Sequence, residues 1–144
     1  MIKAATKNKF FWAIVGWCLL LFVLSVQPEH YLLYLVNKSV FPIAHVIAYS
    51  IFAFGLSVHF RLTRRIGKMT MDNLNLSMIV MSLIAIVGAL TEIIQIYVPS
   101  RTPGWDDFAC DMGGAFLGLF FFFLFSRSKL GSSFLMRKFA PSSV

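Results

Sequence analysis

Three carboxylates, Glu92, Asp107 and Asp111, stand in largely apolar sequence with His45, Tyr49, Gln95, Arg101 and Asp106. A histidine among carboxylates suits general acid–base work, with His45 or Glu92 as the base and Asp107 and Asp111 as further proton carriers. Arg101 suits an anionic headgroup, because its planar guanidinium matches carboxylate and phosphate geometry. The same oxygens suit a divalent cation, which takes hard oxygen ligands.

The spacing gathers these residues into stripes, because residues three or four apart share one face of a helix. His45 and Tyr49 are four apart, Glu92 and Gln95 three apart, and Asp107 and Asp111 four apart. Gly114 and Gly118 continue the Asp111 stripe in a small-xxx-small pattern that lets backbones approach closely, and Gly88 and Ala89 extend the Glu92 stripe.

The elements that must position these residues follow from composition. The chain has 144 residues, of which 58% are hydrophobic and 13% charged, and its mean hydropathy is +0.78. That exceeds the apolar share of an ordinary soluble domain, which is about half. Four apolar stretches, residues 10–26, 41–60, 74–98 and 105–125, are each long enough to cross about 30 Å of hydrocarbon as a helix. An open sheet edge cannot face lipid, so the expected fold is an all-α, polytopic bundle of four transmembrane helices forming one membrane domain over residues 1–144. A cleaved signal peptide has a shorter apolar core and a small-residue exit, whereas the first stretch ends Leu24-Ser25-Val26-Gln27. The net charge of +7 does not point to nucleic acid, since no water-soluble module carries a basic face.

The basic residues act instead as topology signals. Eleven of the 13 lie at the amino terminus (Lys3, Lys7, Lys9), between the second and third stretches (Arg61, Arg64, Arg65, Lys68) and in the tail (Arg127, Lys129, Arg137, Lys138). Lys38 and Arg101 remain for the other side, so both termini are expected to be cytoplasmic in a cytoplasmic (inner) membrane protein. The basic tail, 127–144, either lies on the anionic inner leaflet or is disordered. Cys18 and Cys110 fall in opposite halves of the membrane and read as small apolar residues rather than a disulfide. The phenylalanine run 120–123 can face lipid.

A carboxylate within a bilayer costs about 2.5–3.5 kcal/mol on insertion scales, so it usually faces a cavity or a partner. At 1.5 Å of rise per residue, Glu92 and Asp111 each lie roughly 9 Å from the outer end of their stretch, and His45 roughly 6 Å. A polar pocket open to the outside is the expectation. Arg101 paired with Asp106 or Asp107 could instead merely staple residues 99–104. Three carboxylates with His, Gln and Tyr at one depth exceed what packing alone requires. No phosphate-binding loop, nucleophile elbow or His-Glu-x-x-His helix occurs in the sequence.

The combined pattern, His45-x-x-x-Tyr49, Glu92-x-x-Gln95 followed by Arg101, then Asp106-Asp107 with Asp111, Gly114 and Gly118, resembles the VanZ-like membrane proteins over residues 41–118. The resemblance implies a four-helix topology and a link to resistance against the glycopeptide teicoplanin. Two positions depart from the family pattern. Pro42 stands where a lysine is common, and Asp111 where an asparagine is common. A cation is lost and an anion gained, and such crowded carboxylates cannot all stay ionised in a dry site.

Three functions from different classes fit these features. One is a binding module for an envelope lipid, lipid-linked or glycopeptide headgroup. A second is a small membrane enzyme acting on a lipid-linked substrate. The third is a structural helper for a larger membrane complex, and the Gly114–Gly118 face could also serve a homodimer.

Overall fold

The computed structural model describes residues 2–28, 40–63, 72–98, 101 and 104–137, with side chains from 10 to 135. All regular structure among them is helical: α1 (Ile2–Ser25), α2 (Phe41–Thr63), α3 (Asn73–Gln95), α4 (Trp105–Arg127) and α5 (Lys129–Arg137). Three of these, α2, α3 and α4, are long and apolar enough to cross a membrane. The apolar part of α1 is shorter, Phe10–Ser25, because Lys3, Lys7 and Lys9 lie on its first turns rather than ahead of it. No proline or glycine interrupts residues 2–9, and Ala and Lys favour helix, so α1 begins eight residues before the expected position 10.

Local chemistry sets the other ends. Asp72 caps α3, its carboxylate accepting the Asn75 N–H at 2.8 Å. The same helix stops at Gln95, three residues short of the expected 98. There the chain tightens into i→i+3 bonds, Tyr97 N–H to Ile94 O and Val98 N–H to Gln95 O, ahead of Pro99, which disfavours helix before it. Asp106 and Asp107 place negative charge at the positive start of α4. Ser128 ends α4 with extended backbone, and its hydroxyl then accepts the Gly131 N–H at 3.0 Å to start α5. Glycine is required at 131, because a Cβ there would collide with the Phe125 carbonyl. The tail therefore carries an ordered helix over Lys129–Arg137, and residues 138–144 lie outside those described.

Successive helices run in opposite directions. Arg61, in the last turns of α2, donates to Asn73 at the start of α3, and its guanidinium also lies over the Phe122 ring near the end of α4. At the other end, Glu92 of α3 meets Gly104 before α4, and Arg101 meets Gln27 beyond α1. The closest packing is α2 against α4. A Cβ at Gly118 would strike the Ser50 carbonyl, and one at Gly114 would lie 2.5 Å from the Val46 carbonyl oxygen. The Gly114–Gly118 face is thus occupied within the chain rather than left for a homodimer. Trp17 ties α1 to α2 by donating its Nε1 proton to the Ala48 carbonyl at 3.2 Å.

The core is a narrow seam. On α3 it runs Leu76, Val80, Ile84, Gly88, Thr91 and Gln95, one residue per turn. Leu74, Met78, Ile86, Leu90 and Ile93 point outward from the same helix, as Phe116, Phe120, Phe121 and Leu124 do from α4. An outer surface this apolar suits lipid contact rather than water. Within the phenylalanine run the expectation holds for Phe120 and Phe121, which face outward, but Phe122 is fully buried against the seam and Phe123 is partly buried against the core. One helical turn cannot present four consecutive side chains on one side.

Candidate functional site: a polar cluster at one end of the bundle

Below the cluster, buried hydroxyls satisfy themselves on their own helix. Ser57 Oγ donates to the Ala53 carbonyl at 2.7 Å and Thr91 Oγ1 to the Gly88 carbonyl at 2.8 Å. The seam is otherwise apolar and glycine-lined. Polar side chains that cannot be met in this way collect where α2 begins, α3 ends and α4 begins.

His45 and Asp111, from α2 and α4, form the centre. Nδ1 of His45 lies 2.7 Å from Oδ1 of Asp111, and the side chains are 22% and 1% exposed respectively. The close α2–α4 approach at Gly114 brings them together, since Gly114 packs one turn further along both helices. Tyr49 is buried beneath and stacks its ring on His45, with centroids 6.3 Å apart and planes 9° apart. Asp111 also fills the space that Gly88 leaves on α3. A Cβ there would come within 3.1 Å of Oδ2 and 3.3 Å of the Phe108 ring.

Glu92 lies half-buried on α3 and accepts the Gly104 N–H at 2.9 Å through Oε2. This bond satisfies one of the unpaired N–H groups that open α4. Gln95, one turn on, is 1% exposed. Asp107 is half-buried one turn before Asp111, whereas Asp106 is exposed at the start of α4. Arg101 does not staple the aspartates as the sequence allows. Its Nε donates to the Gln27 carbonyl at 3.1 Å, and among the described residues it forms no ion pair with Asp106 or Asp107. The last carbonyls of a helix lack partners within it, and Arg101 supplies one just past α1.

Three buried oxygens in this cluster meet no hydrogen-bond partner among the described residues: Glu92 Oε1, Gln95 Oε1 and Asp111 Oδ2. An unmet buried acceptor costs about 1–3 kcal/mol, more when charged, so each of these oxygens calls for a donor beyond the described residues. A divalent cation finds no ligand set here, since no three His, Cys, Asp or Glu side chains converge to hold a metal among the described residues. The reason is directional: Oε2 of Glu92 is turned to Gly104 and Oδ1 of Asp111 to His45, so the carboxylates face their neighbours rather than one point. Cys18 and Cys110 are both free thiols.

His45 and Asp111 become direct partners, with Tyr49 stacked on the imidazole. Glu92, Asp107 and Arg101 lie within electrostatic reach of His45, Gln95 follows Glu92 on the same helix, and Asp106 is exposed at the start of α4. Sequence reasoning overlooked Gly104 and Gln27, which act only through backbone groups. Their signal was position, each at the edge of an apolar stretch where helix ends leave donors or acceptors unpaired. Comparison with protein-family models, curated proteins and solved structures gives no match to this chain.

Proposed function

We propose that the protein is a four-span protein of the cytoplasmic (inner) membrane, with both termini cytoplasmic, that binds an envelope lipid or glycolipid headgroup at its outer end. The observation that carries this reading is the pair of fully buried side chains, Asp111 and Gln95, each with an acceptor oxygen that the described protein leaves unmet. A purely structural cluster gains nothing from that penalty, whereas a binding site recovers it when ligand donors arrive. Tyr97 and Trp105 support placing this end at a membrane boundary. They are 82% and 86% exposed beside the cluster, where amphipathic rings sit at headgroup level. The basic residues, concentrated toward the opposite end, support turning the cluster outward. In this reading α1 is the fourth span, its lysine-bearing turns lying in the inner interface. The VanZ-like spacing of the cluster residues connects the site to glycopeptide resistance.

A second reading, a small membrane enzyme on a lipid-linked substrate, is favoured by one observation. Asp111 orients an imidazole that keeps partial access, an arrangement suited to a general base. Native mass spectrometry of protein released in mild detergent tests the first reading. Wild type should retain a discrete lipid or glycolipid mass that Glu92→Gln loses while keeping its helical circular dichroism. Equal, ligand-free spectra count against a binding site. For the enzyme, Asp107→Asn should abolish turnover of the retained molecule while leaving much of its binding intact.

A further inference from the structure

We propose that α5 is an interfacial anchor that lies on the membrane surface and engages anionic phospholipid headgroups through Arg127 and Lys129. The inference is independent of the polar cluster and concerns the opposite end of the bundle. With 23 residues, α4 is about 35 Å long at 1.5 Å of rise, against about 30 Å of hydrocarbon. Its ends therefore fall at the two interfaces, Trp105 at one and Arg127 at the other. Only Ser128 separates Arg127 from Lys129–Arg137, so α5 starts at the membrane boundary.

The helix is held there by one face. Gly131 packs on the Phe125 carbonyl, and Leu135, four residues on, is buried with the core. One residue round the helix, Leu130 and Phe134 form a second stripe that is 75% and 43% exposed, with the Phe134 ring 6.2 Å from that of Phe125. Lys129 and Ser133, on the side away from Gly131 and Leu135, are exposed as well. An apolar flank beside a polar back is the pattern of a helix seated between acyl chains and headgroups. Charge selects the lipid. Arg127 and Lys129 are exposed at the start of the stripe, Arg137 and Lys138 follow in the sequence, and residues 112–144 contain no aspartate or glutamate. A zwitterionic headgroup brings its own cation, whereas an anionic one leaves its phosphate charge for lysine and arginine, whose stems lie along the apolar boundary. An acidic soluble partner would match the charge but not cover Leu130 and Phe134; a lipid surface does both.

The test uses the full chain with Cys18 and Cys110 replaced by alanine and a spin label on Leu130→Cys or on Ser133→Cys, each verified as folded by helical circular dichroism. Nanodiscs contain phosphatidylcholine alone, or phosphatidylcholine and phosphatidylglycerol in equal amounts. Paramagnetic resonance reads collisions of the label with oxygen and with an uncharged, water-soluble nickel chelate. At 130, the preference for oxygen over nickel should be at least about fivefold greater in the anionic discs, the factor that one basic residue near an anionic surface gives. At 133 the label should stay open to nickel in both. Lys129→Gln, or raised salt, should narrow the difference at 130. The two kinds of disc hold the same protein, so a disturbed variant does not mimic the effect. Equal nickel access at 130 in both discs overturns the inference, whether the label is open to water in both or shielded in both. A difference that Lys129→Gln and salt leave untouched overturns it too. So does shielding from oxygen and nickel alike with spin–spin broadening, which places a second copy of the chain on the stripe.

Discussion

Asp111 divides its two oxygens, Oδ1 meeting His45 Nδ1 at 2.7 Å and Oδ2 meeting no donor among the described residues. His45→Leu takes the imidazole partner from a 1% exposed carboxylate, and should lower the stability of the detergent-solubilised protein by about 1–3 kcal/mol. Adding Asp111→Leu should recover most of that loss, because removing both partners together leaves no stranded charge. Thermal unfolding followed by circular dichroism reads both steps. An additive cycle, with the double variant less stable than either single one, defeats this account of the pair. The residue types were legible in advance, since an aspartate and a histidine in apolar sequence invite a question. Their partnership was not, because it joins positions 66 residues apart and depends on where two helices cross.

Among the elements, α2 and α4 carry the site, and their approach is set by glycine rather than by apolar bulk. Gly118→Ala drives a Cβ into Ser50 and Ala53 of α2, and should cost about 1–3 kcal/mol, the usual price of overpacking. Gly113→Ala, one helical turn before the Phe116 and Leu117 surface, meets nothing within 4 Å and should raise stability slightly, by about 0.5–1 kcal/mol of helix propensity. Equal effects from the two alanines would mean that the glycines act through helix propensity alone. At the end of α4, Ser128→Ala removes the hydroxyl that caps α5, and should weaken that helix by about 1 kcal/mol. Faster amide exchange at Gly131 is the expected signature. The small-residue stripe could be read from spacing, but the face it packs on could not. Periodicity gives the face of one helix, and the choice of neighbour is made between helices.

For the molecule as a whole, the decisive question is which side the polar end faces. With Cys18 and Cys110 replaced by alanine, a single cysteine at Tyr97 should react with a membrane-impermeant maleimide in intact spheroplasts. One at exposed Ser133, on α5, should react only after permeabilisation. The reverse pattern would put the polar cluster on the cytoplasmic side. Apolar stretch lengths, their helical period and the distribution of lysine and arginine were determined by the sequence alone. These are local quantities that sum along the chain, and they yielded an all-helical protein with long apolar helices. Where helices begin and stop shifted by a few residues, because lysines continued α1 and the turn before Pro99 shortened α3. Only the tertiary structure decided that Arg101 serves Gln27 rather than the aspartates, that Phe122 turns inward, and that three acceptors at one end are unmet by any described residue. Hydrogen bonds are short and directional, so they depend on the rotation and offset of each helix against its neighbours, which no single stretch of sequence encodes.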